Sequence, residues 1–377
     1  MRIAVIVAEI NNESAGTTYS VSSLCRGLAR CGGEVSLHVL EPAPDGLGDI
    51  NIVPYARGNF PVRELGRSPE MLRDLRRVLQ GCDVVHNNGM WKMVNVYPSI
   101  ARRGTKCKFV FSPRGGLSRV ALRRSRTKKF LMGHLCGQYK ALKDVDMFHA
   151  ASKKELDEIR ALGYKQPIAL VPNGIDMPPV KHRPFERGGR KIVFFGRIHP
   201  TKAVGNLVEA WGRVAHKYPE WSLEIAGPDC GAVPKLVDTI AKNRIPRVSF
   251  VGEFHGSSKY EYLASADLYV LPSLTENFGI TIAEALACGT PVIASRGCPW
   301  EHLADMGCGW WIETGIAPLA DCLEQALPME PDHLAEMGER GRQWMSRDFS
   351  WSGICHKMGS AYEWLCNGGP RPDFVYC

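Results

Sequence analysis

The 377-residue sequence contains no apolar run near the ~18 residues that a membrane-spanning helix requires. No Cys-x-x-Cys pair occurs among its 13 cysteines, so we expect reduced, mostly buried thiols and neither a disulfide framework nor a thiolate-bound metal. Aromatic residues amount to only 9% and charged residues to 23%, a composition that excludes disordered, collagen-like and coiled-coil proteins. The opening apolar segment stops after Ala8, which favours a first β-strand over a signal peptide and predicts a cytosolic protein.

Positive charge is concentrated in the first half of the chain. Residues 1–177 hold 27 Lys and Arg against 16 Asp and Glu, a balance of +11, and residues 178–377 hold 20 against 23, a balance of −3, which together give the net charge of +8. Such an asymmetry predicts that the first half faces an anionic partner.

Short apolar runs alternate with helical patterns along the chain. The predicted strands are Arg2–Ala8, Glu34–Leu40, Asp83–His86, Lys108–Ser112, Met147–Ala151 and Ile168–Pro172, and then Lys191–Gly196, Ser222–Ala226, Val248–Val251, Leu268–Leu271 and Pro291–Ser295. Residues 178–190 are rich in Pro and Gly, as is typical of a linker. We therefore predict an α/β fold of two doubly wound, Rossmann-like domains, residues 1–177 and 191–354, with parallel sheets facing a central cleft.

The most informative motif is Glu276-Asn-Phe-Gly-Ile-Thr-Ile-Ala-Glu284. It follows a strand ending at Leu271, and a helix is predicted from about Asn277 to a cap at Gly289. Glu284 then lies two turns beyond Glu276, within about 80° of the same face. The free backbone N–H groups between them, which favour an anion, are those of Phe278, Gly279 and Ile280. This order suits a sugar, a diphosphate and a ribose; the alternative is a capping Glu276 and a solvated Glu284.

Two cations are predicted at the same edge of the second sheet. Arg197 follows the strand ending at Gly196, and Lys202 starts the next helix. The guanidinium of an Arg can bind two phosphate oxygens at once, and the ammonium group of a Lys adds a compact positive charge, so the two suit a diphosphate beside a helix N-terminus. The alternative is an ordinary pair of surface cations.

Together these motifs resemble the retaining GT4 family of glycosyltransferases. The matching segments are Gly196-Arg197-x4-Lys202, the Glu-x7-Glu motif, Ala287-Cys-Gly-Thr-Pro-Val-Ile-Ala-Ser295, Val171-Pro-Asn-Gly-Ile-Asp176, Ala264-Ser-Ala-Asp-Leu-Tyr-Val-Leu-Pro-Ser273 and, as in a bacterial branch, Ser112-Pro-Arg-Gly-Gly-Leu117. The resemblance implies the two-domain GT-B fold, a nucleoside-diphosphate sugar as donor and no metal ion or other cofactor. It also implies a last helix, which follows Phe349-Ser-Trp351 and runs to Leu365, and residues 355–377 would pack back on the first domain.

The resemblance gives the second-domain residues roles at a donor site. Arg197 and Lys202 would hold the diphosphate and stabilise the charge that develops as it leaves. Glu276 would bind hydroxyl groups of the donor sugar. The backbone groups that would assist Glu276 and bind the distal phosphate are those of Phe278, Gly279 and Ile280.

Further roles follow from the same resemblance. Glu284 would accept the ribose hydroxyls, while Glu253 and Phe254 would border the nucleobase. In the first domain the loop Asn11–Thr17, with Gly16, would cover the diphosphate and the acceptor side. Its single glycine also argues against a dinucleotide dehydrogenase, which requires Gly-x-Gly-x-x-Gly after the first strand.

Two more first-domain residues are candidates for the reacting site. Arg114 stands where the family pattern often has a His, and a guanidinium cannot act as a general base because it stays protonated. The transfer would then depend on Arg197 and Lys202, with the departing phosphate taking the acceptor proton. His86, at a strand end, matches a family His position and is either an active-site residue or a hydrogen-bonded residue at the end of its strand.

Asp144-Val-Asp146 resembles the metal motif of another glycosyltransferase architecture. It precedes a first-domain strand, far in sequence from the donor motifs, so we assign no metal ligands.

The segment of residues 114–143 carries nine Lys and Arg with interleaved Leu122, Phe130, Leu131 and Leu135. This amphipathic pattern predicts a helix that attaches to an anionic membrane surface, as in family members that act on lipid-linked acceptors. The alternative is a solvated basic helix face. Nucleic acid is not an expected partner, because no recognition motif accompanies the charge.

The sequence thus predicts a hexosyltransferase that acts with retention on a hydroxyl of a glycan or lipid-linked glycan, in cell-surface polysaccharide or lipopolysaccharide biosynthesis. It would work in the cytoplasm or on the inner face of the cell membrane. A sugar-nucleotide epimerase of the same fold and a catalytically silent nucleotide-sugar-binding scaffold stay open as alternatives. Residues 368–377 are predicted to be a frayed tail.

Overall fold

The computed structural model describes residues 1–10, 16–43, 50–58, 63–123, 126–179 and 189–377. The chain forms two compact units, one of Met1–Gly174 with Trp351–Cys377 and one of Ile175–Ser350. The first boundary lies three residues before the predicted 177, whereas the second unit begins 16 residues before the predicted 191 and ends four residues before the predicted 354. Most of the predicted linker falls outside the described residues. The returning helix spans Trp351–Asn367, close to the predicted stretch from Trp351 to Leu365.

Parallel strands alternate with helices in both units. The first unit contains β1 (Arg2–Val7), β2 (Glu34–Leu40), β3 (Asn51–Tyr55), β4 (Val84–Asn88), β5 (Lys108–Ser112), β6 (Met147–Ala150), β7 (Ile168–Leu170) and β14 (Val375–Tyr376). The second contains β8 (Arg190–Phe195), β9 (Trp221–Ala226), β10 (Val248–Gly252), β11 (Leu268–Leu271), β12 (Val292–Ser295) and β13 (Gly309–Ile312).

The helices cover both faces of each sheet. Those of the first unit are α1 (Gly16–Arg30), α2 (Pro69–Val78), α3 (Tyr97–Ala101), α4 (Arg119–Arg123), α5 (Arg126–Phe130), α6 (Gln138–Lys143), α7 (Lys153–Ala161) and α14 (Trp351–Asn367). Those of the second are α8 (Val204–Val214), α9 (Val233–Asn243), α10 (Gly256–Ala264), α11 (Ile280–Ala287), α12 (Ile316–Ala326) and α13 (Pro331–Asp348).

The first sheet has the strand order β14-β7-β6-β5-β4-β1-β2-β3 and is parallel except for β14. Residues on β1 alternate between two cores: Ile3 and Val5 pack in the cluster that includes α1 and α14, and Ala4 and Ile6 in the cluster that includes α2. A parallel sheet buried on both faces requires such continuous apolar strands, and the sequence supplies them.

Two strands of the first unit were not predicted. Asn51–Tyr55 contains Pro54, which an edge strand tolerates, and it pairs with β2 at the sheet edge. Val375–Tyr376 pairs antiparallel with β7, and Arg160 Nη2 donates to the Tyr376 carbonyl at 2.9 Å. The prediction of a frayed tail was therefore wrong.

The basic segment of residues 114–143 is not one helix. Its described residues form α4, α5, a π-helical turn at Leu131–Leu135 and α6, and the predicted cations Arg124, Arg126 and Lys128 have no described side chains. Among the described helices of the whole chain, none has the length and apolarity needed to cross a membrane.

A close helix contact fixes the position of α11, which carries Glu284. A Cβ placed on Gly338 of α13 would lie 1.7 Å from the carbonyl oxygen of Gly289, the residue that ends the α11 turn at φ +83°. The two backbones therefore touch, and only glycine fits at residue 338.

We predict that Gly338→Ala lowers the free energy of unfolding by about 1–3 kcal/mol, because the added methyl group overpacks this contact. The matched control is Gly359→Ala on α14, where the added methyl group meets no atom within 4 Å. That change should raise stability by about 0.5–1 kcal/mol through helix propensity. Chemical denaturation of both variants measures the difference, and equal effects would contradict the contact.

Candidate functional site

The second sheet has the order β10-β9-β8-β11-β12-β13, so its strand order reverses between β8 and β11. In parallel α/β sheets such a reversal opens a crevice at the carboxyl ends of the two strands, where ligands bind. Gly196 and Arg197 follow β8, and the loop that leads to α11 follows β11. The two sequence motifs therefore meet at one edge of the sheet, as predicted.

Two glycines set the backbone at the end of β8. Gly196 has φ +148° and Gly227, which follows β9, has φ +125°. A Cβ on Gly227 would lie 2.1 Å from the Gly196 carbonyl oxygen, so any larger residue there would force the two loops apart. Arg197 leaves this turn with an exposed side chain that has no ion-pair partner within the described ranges. Its guanidinium is thus accessible to an anion.

Lys202 and Glu276, 74 residues apart, form one polar pair. Lys202 Nζ lies 2.6 Å from Glu276 Oε1, and the two side chains are only 17% and 14% exposed. The backbone holds them there, because Leu274 N donates to the Thr201 carbonyl at 2.9 Å and Glu276 N to the Gly297 carbonyl at 2.8 Å. The predicted juxtaposition of cation and carboxylate is confirmed.

Helix α11 begins at Ile280, later than predicted, with Gly279 as its N-cap at φ +80° and ψ +60°. Gly279 and Ile280 therefore lie where N–H groups have no acceptor within the helix. Phe278 instead belongs to the incoming loop, where its side chain is buried and its carbonyl accepts from Trp300 Nε1 at 2.5 Å. An apolar residue packed in a loop resembles a helical core position in sequence, which explains the misplaced boundary.

Glu284 lies about one turn into α11 and is 4% exposed. Its Oε1 accepts from Lys259 Nζ of α10 at 2.7 Å. Burial raises the pKa of Glu284 above its usual range, and the ammonium group of Lys259 limits that rise. Burial lowers the pKa of Lys259, but the carboxylate of Glu284 leaves that pKa above its ordinary value. The predicted alternative of a solvated Glu284 is wrong, since the group is half of a buried ion pair.

Tyr269 of β11 links the end of β8 to the start of α11. Its side chain is fully buried, and its hydroxyl lies 2.6 Å from Thr281 Oγ1 and 3.1 Å from the Phe195 carbonyl oxygen. Thr281 is in the first turn of α11 and Phe195 ends β8. The tyrosine thus ties the N-terminus of α11 to the strand that delivers Arg197.

The predicted nucleobase residues follow β10. Glu253 is exposed, with an oxygen 3.5 Å from His255 Nε2. Phe254 stacks on Tyr262 of α10, with ring centroids 4.2 Å apart and an interplanar angle of 11°. The pair presents an aromatic surface of the kind that a base stacks on.

Arg114 lies at the carboxyl edge of the first sheet in the left-handed region, at φ +53°. Its Nε and Nη2 donate to Asn88 Oδ1 at 3.1 and 2.9 Å, and its Nη1 donates to Asn173 Oδ1 at 2.7 Å. Asn88 ends β4, and Asn173 follows β7. The guanidinium is therefore held between the ends of two strands.

His86 is fully buried inside the first unit. Its Nδ1 lies 2.6 Å from the Tyr362 hydroxyl and its Nε2 lies 2.6 Å from Ser112 Oγ, which is 2.7 Å from His149 Nδ1. Burial lowers the pKa of His86 well below its usual value, so the ring is neutral. The hydrogen-bonded alternative therefore holds, because both ring nitrogens contact hydroxyl groups of the protein, and a catalytic role of His86 stays a prediction.

The predicted loop Asn11–Thr17 is described only at its end. Gly16 is the first residue of α1, and residues 11–15 of the loop lie outside the described residues.

The Asp144-Val-Asp146 motif has partners within the first unit. Asp146 pairs with Arg102 and accepts from Phe109 N at 2.7 Å, while Asp144 accepts from Ser99 Oγ at 2.6 Å. Both carboxylates thus hold α3, β5 and the turn before β6 together.

Sequence reasoning missed Lys259, which pairs with Glu284, and Tyr269, which hydrogen-bonds to Thr281 of α11. Each belongs to a segment that was predicted correctly as a helix or a strand. Lys259 belongs to none of the quoted motifs, and Tyr269 lies in the matching segment 264–273 without a role assigned there, so the tertiary contacts identify both.

Two family profiles match the sequence. Residues 14–177 match "Glycosyltransferase Family 4" and residues 181–344 match "Glycosyl transferases group 1". Together they cover most of the chain, and their boundary falls near the division between the two units.

Curated relatives carry related names. A glycogen synthase of Mycobacterium tuberculosis is 29% identical over 230 residues, which are 59% of this chain and 55% of that protein. A phosphatidyl-myo-inositol mannosyltransferase of Mycolicibacterium smegmatis is 32% identical over 210 residues, which are 53% and 52%. The chain spans about half the length of these relatives in the alignments.

Solved structures match over almost the whole chain. Sucrose-phosphate synthase of Thermosynechococcus elongatus has a TM-score of 0.79 at 19% identity and covers 98% of this chain and 100% of its own. HepE (Alr3699) of Anabaena, solved in complex with UDP-glucose, has a TM-score of 0.75 at 17% identity and covers 96% and 99%. With two α/β units of mainly parallel sheets, the two sequence motifs at one sheet edge and these matches, the chain belongs to the GT4 family of glycosyltransferases and has the GT-B fold.

Proposed function

We propose that the protein is a retaining hexosyltransferase that moves a hexose from a nucleoside-diphosphate sugar to a hydroxyl of a glycan or lipid-linked glycan. The observation that carries the proposal is the pairing of Lys202 with Glu276 beside the N-terminus of α11, with Arg197 exposed at the same sheet edge. Cations and free N–H groups there suit a diphosphate. The UDP-glucose bound to HepE is a donor of the proposed class.

The donor would lie along α11. Arg197 and Lys202 would bind the diphosphate together with the backbone of Gly279 and Ile280, and Glu276 would accept hydrogen bonds from the sugar. Glu284 would accept the two ribose hydroxyls. At the far end, the base would stack near Phe254, with Glu253 at its edge.

The chemical step would rest on stabilisation of the leaving group. Arg197 and Lys202 would offset the negative charge that grows on the diphosphate as its bond to the sugar breaks. Arg114 cannot take a proton, because its guanidinium stays charged. The departing phosphate oxygen would therefore take the proton of the acceptor hydroxyl. We propose that the reaction needs no metal ion, because side-chain cations and backbone dipoles supply this stabilisation.

The acceptor would be part of a cell-surface polysaccharide or lipopolysaccharide, and the protein would work in the cytoplasm at the inner membrane face. Exposed apolar side chains in the basic segment support this proposal: Phe130 is 63%, Leu131 43% and Leu135 75% exposed. Apolar side chains interleaved with cations favour an anionic lipid surface. The inositol phospholipid in the name of the mannosyltransferase relative agrees with a lipid acceptor.

Two simple experiments distinguish the alternative functions from the proposed transferase. An epimerase would convert the donor with no acceptor present, so product analysis after incubation with donor alone identifies it. A silent scaffold would bind a nucleotide sugar and form no product with any acceptor. The accessible Arg197 and the buried Glu284 favour a catalytic protein over a silent scaffold, and the incubation with donor alone distinguishes the epimerase.

We predict that Arg197→Ala and Lys202→Ala each lower kcat by about 100- to 1,000-fold, because each removes a group that stabilises the leaving diphosphate. Steady-state kinetics with a radiolabelled nucleotide sugar measures the change. Lys235→Ala, at an exposed position of α9, is the matched control and should keep wild-type turnover. Wild-type kcat in both site variants would refute the assignment of the diphosphate site.

We predict a pH effect from Lys259→Met. Without the ammonium group, nothing offsets the burial that raises the pKa of Glu284, so the carboxylate takes up its proton at a higher pH than in the wild type. A protonated Glu284 accepts ribose hydroxyls less well, so donor KM should rise as the pH is lowered. In Lys259→Met this rise should begin at a higher pH than in the wild type. Donor KM measured against pH for Lys259→Met and for the exposed control Lys242→Met tests this. Superimposable profiles would rule the coupling out.

We predict that Phe130→Ser with Leu135→Ser weakens binding to phosphatidylglycerol vesicles by about tenfold or more, because two apolar side chains no longer enter the lipid surface. Co-sedimentation measures the partition. Leu162→Ser with Val237→Ser removes two similarly exposed apolar side chains elsewhere and is the matched control. Equal losses in both pairs would argue for nonspecific adsorption.

A further inference from the structure

A groove of about 770 Å³ lies in the first unit, and none of the residues assigned to donor binding or transfer lines it, although Lys140 of the basic segment, Asp144 and Asp146 do. Its cationic lining consists of Arg102, Arg103, Lys106, Lys108 and Lys140. The volume is in the range of pockets that hold small organic ligands. We call it the amino-edge groove.

The groove belongs to the opposite edge of the sheet from the candidate reaction site. Residues 102–108 connect α3 to the amino end of β5, whereas Arg114 follows the carboxyl end of the same strand. Five residues of β-strand span about 13 Å between these edges. The amino-edge groove is therefore a separate feature of the first unit, and it does not depend on the proposed transferase activity.

The positive charge of the groove is largely uncompensated. Its lining holds five cations and two carboxylates, a net charge of +3, and Asp146 pairs with Arg102 while Asp144 accepts a hydrogen bond from the neutral Ser99 hydroxyl. The cations without a carboxylate partner among the described residues are Arg103, Lys106, Lys108 and Lys140.

Like charges gathered on a concave surface repel one another and focus a positive potential. The five cationic side chains line one concave volume, and Arg103, Lys106 and Lys140 among them are exposed to a ligand from solution. An Arg fork and several Lys point charges around one volume match the oxygens of phosphate groups. We propose that the amino-edge groove binds a ligand that carries phosphate groups.

Cys366 provides a local readout, because its partly exposed side chain lines the groove. Alkylation of Cys366 by iodoacetamide, followed by peptide mass spectrometry, reports occupancy of this groove alone, so probe bound at the donor phosphate site does not interfere. The exposed Cys31 and Cys230 serve as internal controls. Inorganic pyrophosphate is the free probe, and vesicles of phosphatidylglycerol, compared with phosphatidylcholine, are the lipid probe.

The test variant is Arg103→Gln with Lys106→Gln. Lys108 is kept, because its charge acts on the pKa of Cys366 and its loss would alter the readout directly. Arg73→Gln with Arg76→Gln, exposed on α2, is the matched control with the same net charge. We expect pyrophosphate to slow alkylation of Cys366 in the wild type and the control, and the concentration needed to rise about tenfold per cation removed in the test variant.

The two probes separate the sources of phosphate. Protection by pyrophosphate that the test variant loses supports a soluble phosphorylated ligand. Protection only by phosphatidylglycerol vesicles, again lost in the test variant, supports the phosphate of a lipid headgroup. If neither probe slows alkylation of Cys366, or if the test variant is protected as well as the wild type, the groove is a solvated basic surface and the proposal is overturned.

Discussion

The reversal of strand order between β8 and β11 is the constraint on which the candidate site depends. Parallel neighbours place their carboxyl ends on one edge, and a reversal there leaves no crossover helix to cover the space between two loops. Residues 196–202 and 272–284 meet for this reason, although more than 70 residues separate them in the chain. Tyr269 and Gly227 then fix the distance, the first through two hydrogen-bonding contacts and the second through the absence of a side chain.

Two ion pairs lie along this part of the second unit. The exposed fractions are 17% and 14% for Lys202 and Glu276, and 19% and 5% for Lys259 and Glu284, so Glu284 is the most deeply buried of the four. Removing charges from water costs free energy, and each pair offsets that cost by bringing opposite charges together. A carboxylate held in this way is already oriented, so binding of a ligand hydroxyl causes little further loss of side-chain conformational entropy.

Much of the fold could be predicted from the sequence, because apolar strands such as Lys108–Ser112 and Leu268–Leu271 are bounded by polar or Gly-containing turns and keep their predicted limits. The failures have physical reasons. Val375–Tyr376 is too short for a periodic pattern and forms a strand only because β7 offers an unpaired edge. Phe278 is apolar because it packs against Trp300, not because it belongs to the helix.

The candidate site was predictable where chemistry depends on spacing within one segment, as for Glu276 and Glu284. It was not predictable where a partner comes from another element. Lys259 looks like any surface lysine of α10, and only packing of α10 against α11 brings it to Glu284. His86 shows the opposite case: its position at a strand end suggested chemistry, yet Tyr362 and Ser112 occupy both ring nitrogens.

The discontinuity of the first unit has a consequence for biosynthesis. Its α1 face is completed by α14, whose Ile354, Met358 and Tyr362 enter the same core as β1. A ribosome makes those residues only after it has made the whole of the second unit, 175–350. Nascent chains must therefore carry an uncovered apolar surface on the first unit while the second folds, so translation speed and chaperone access over that interval should govern how much protein reaches the native state.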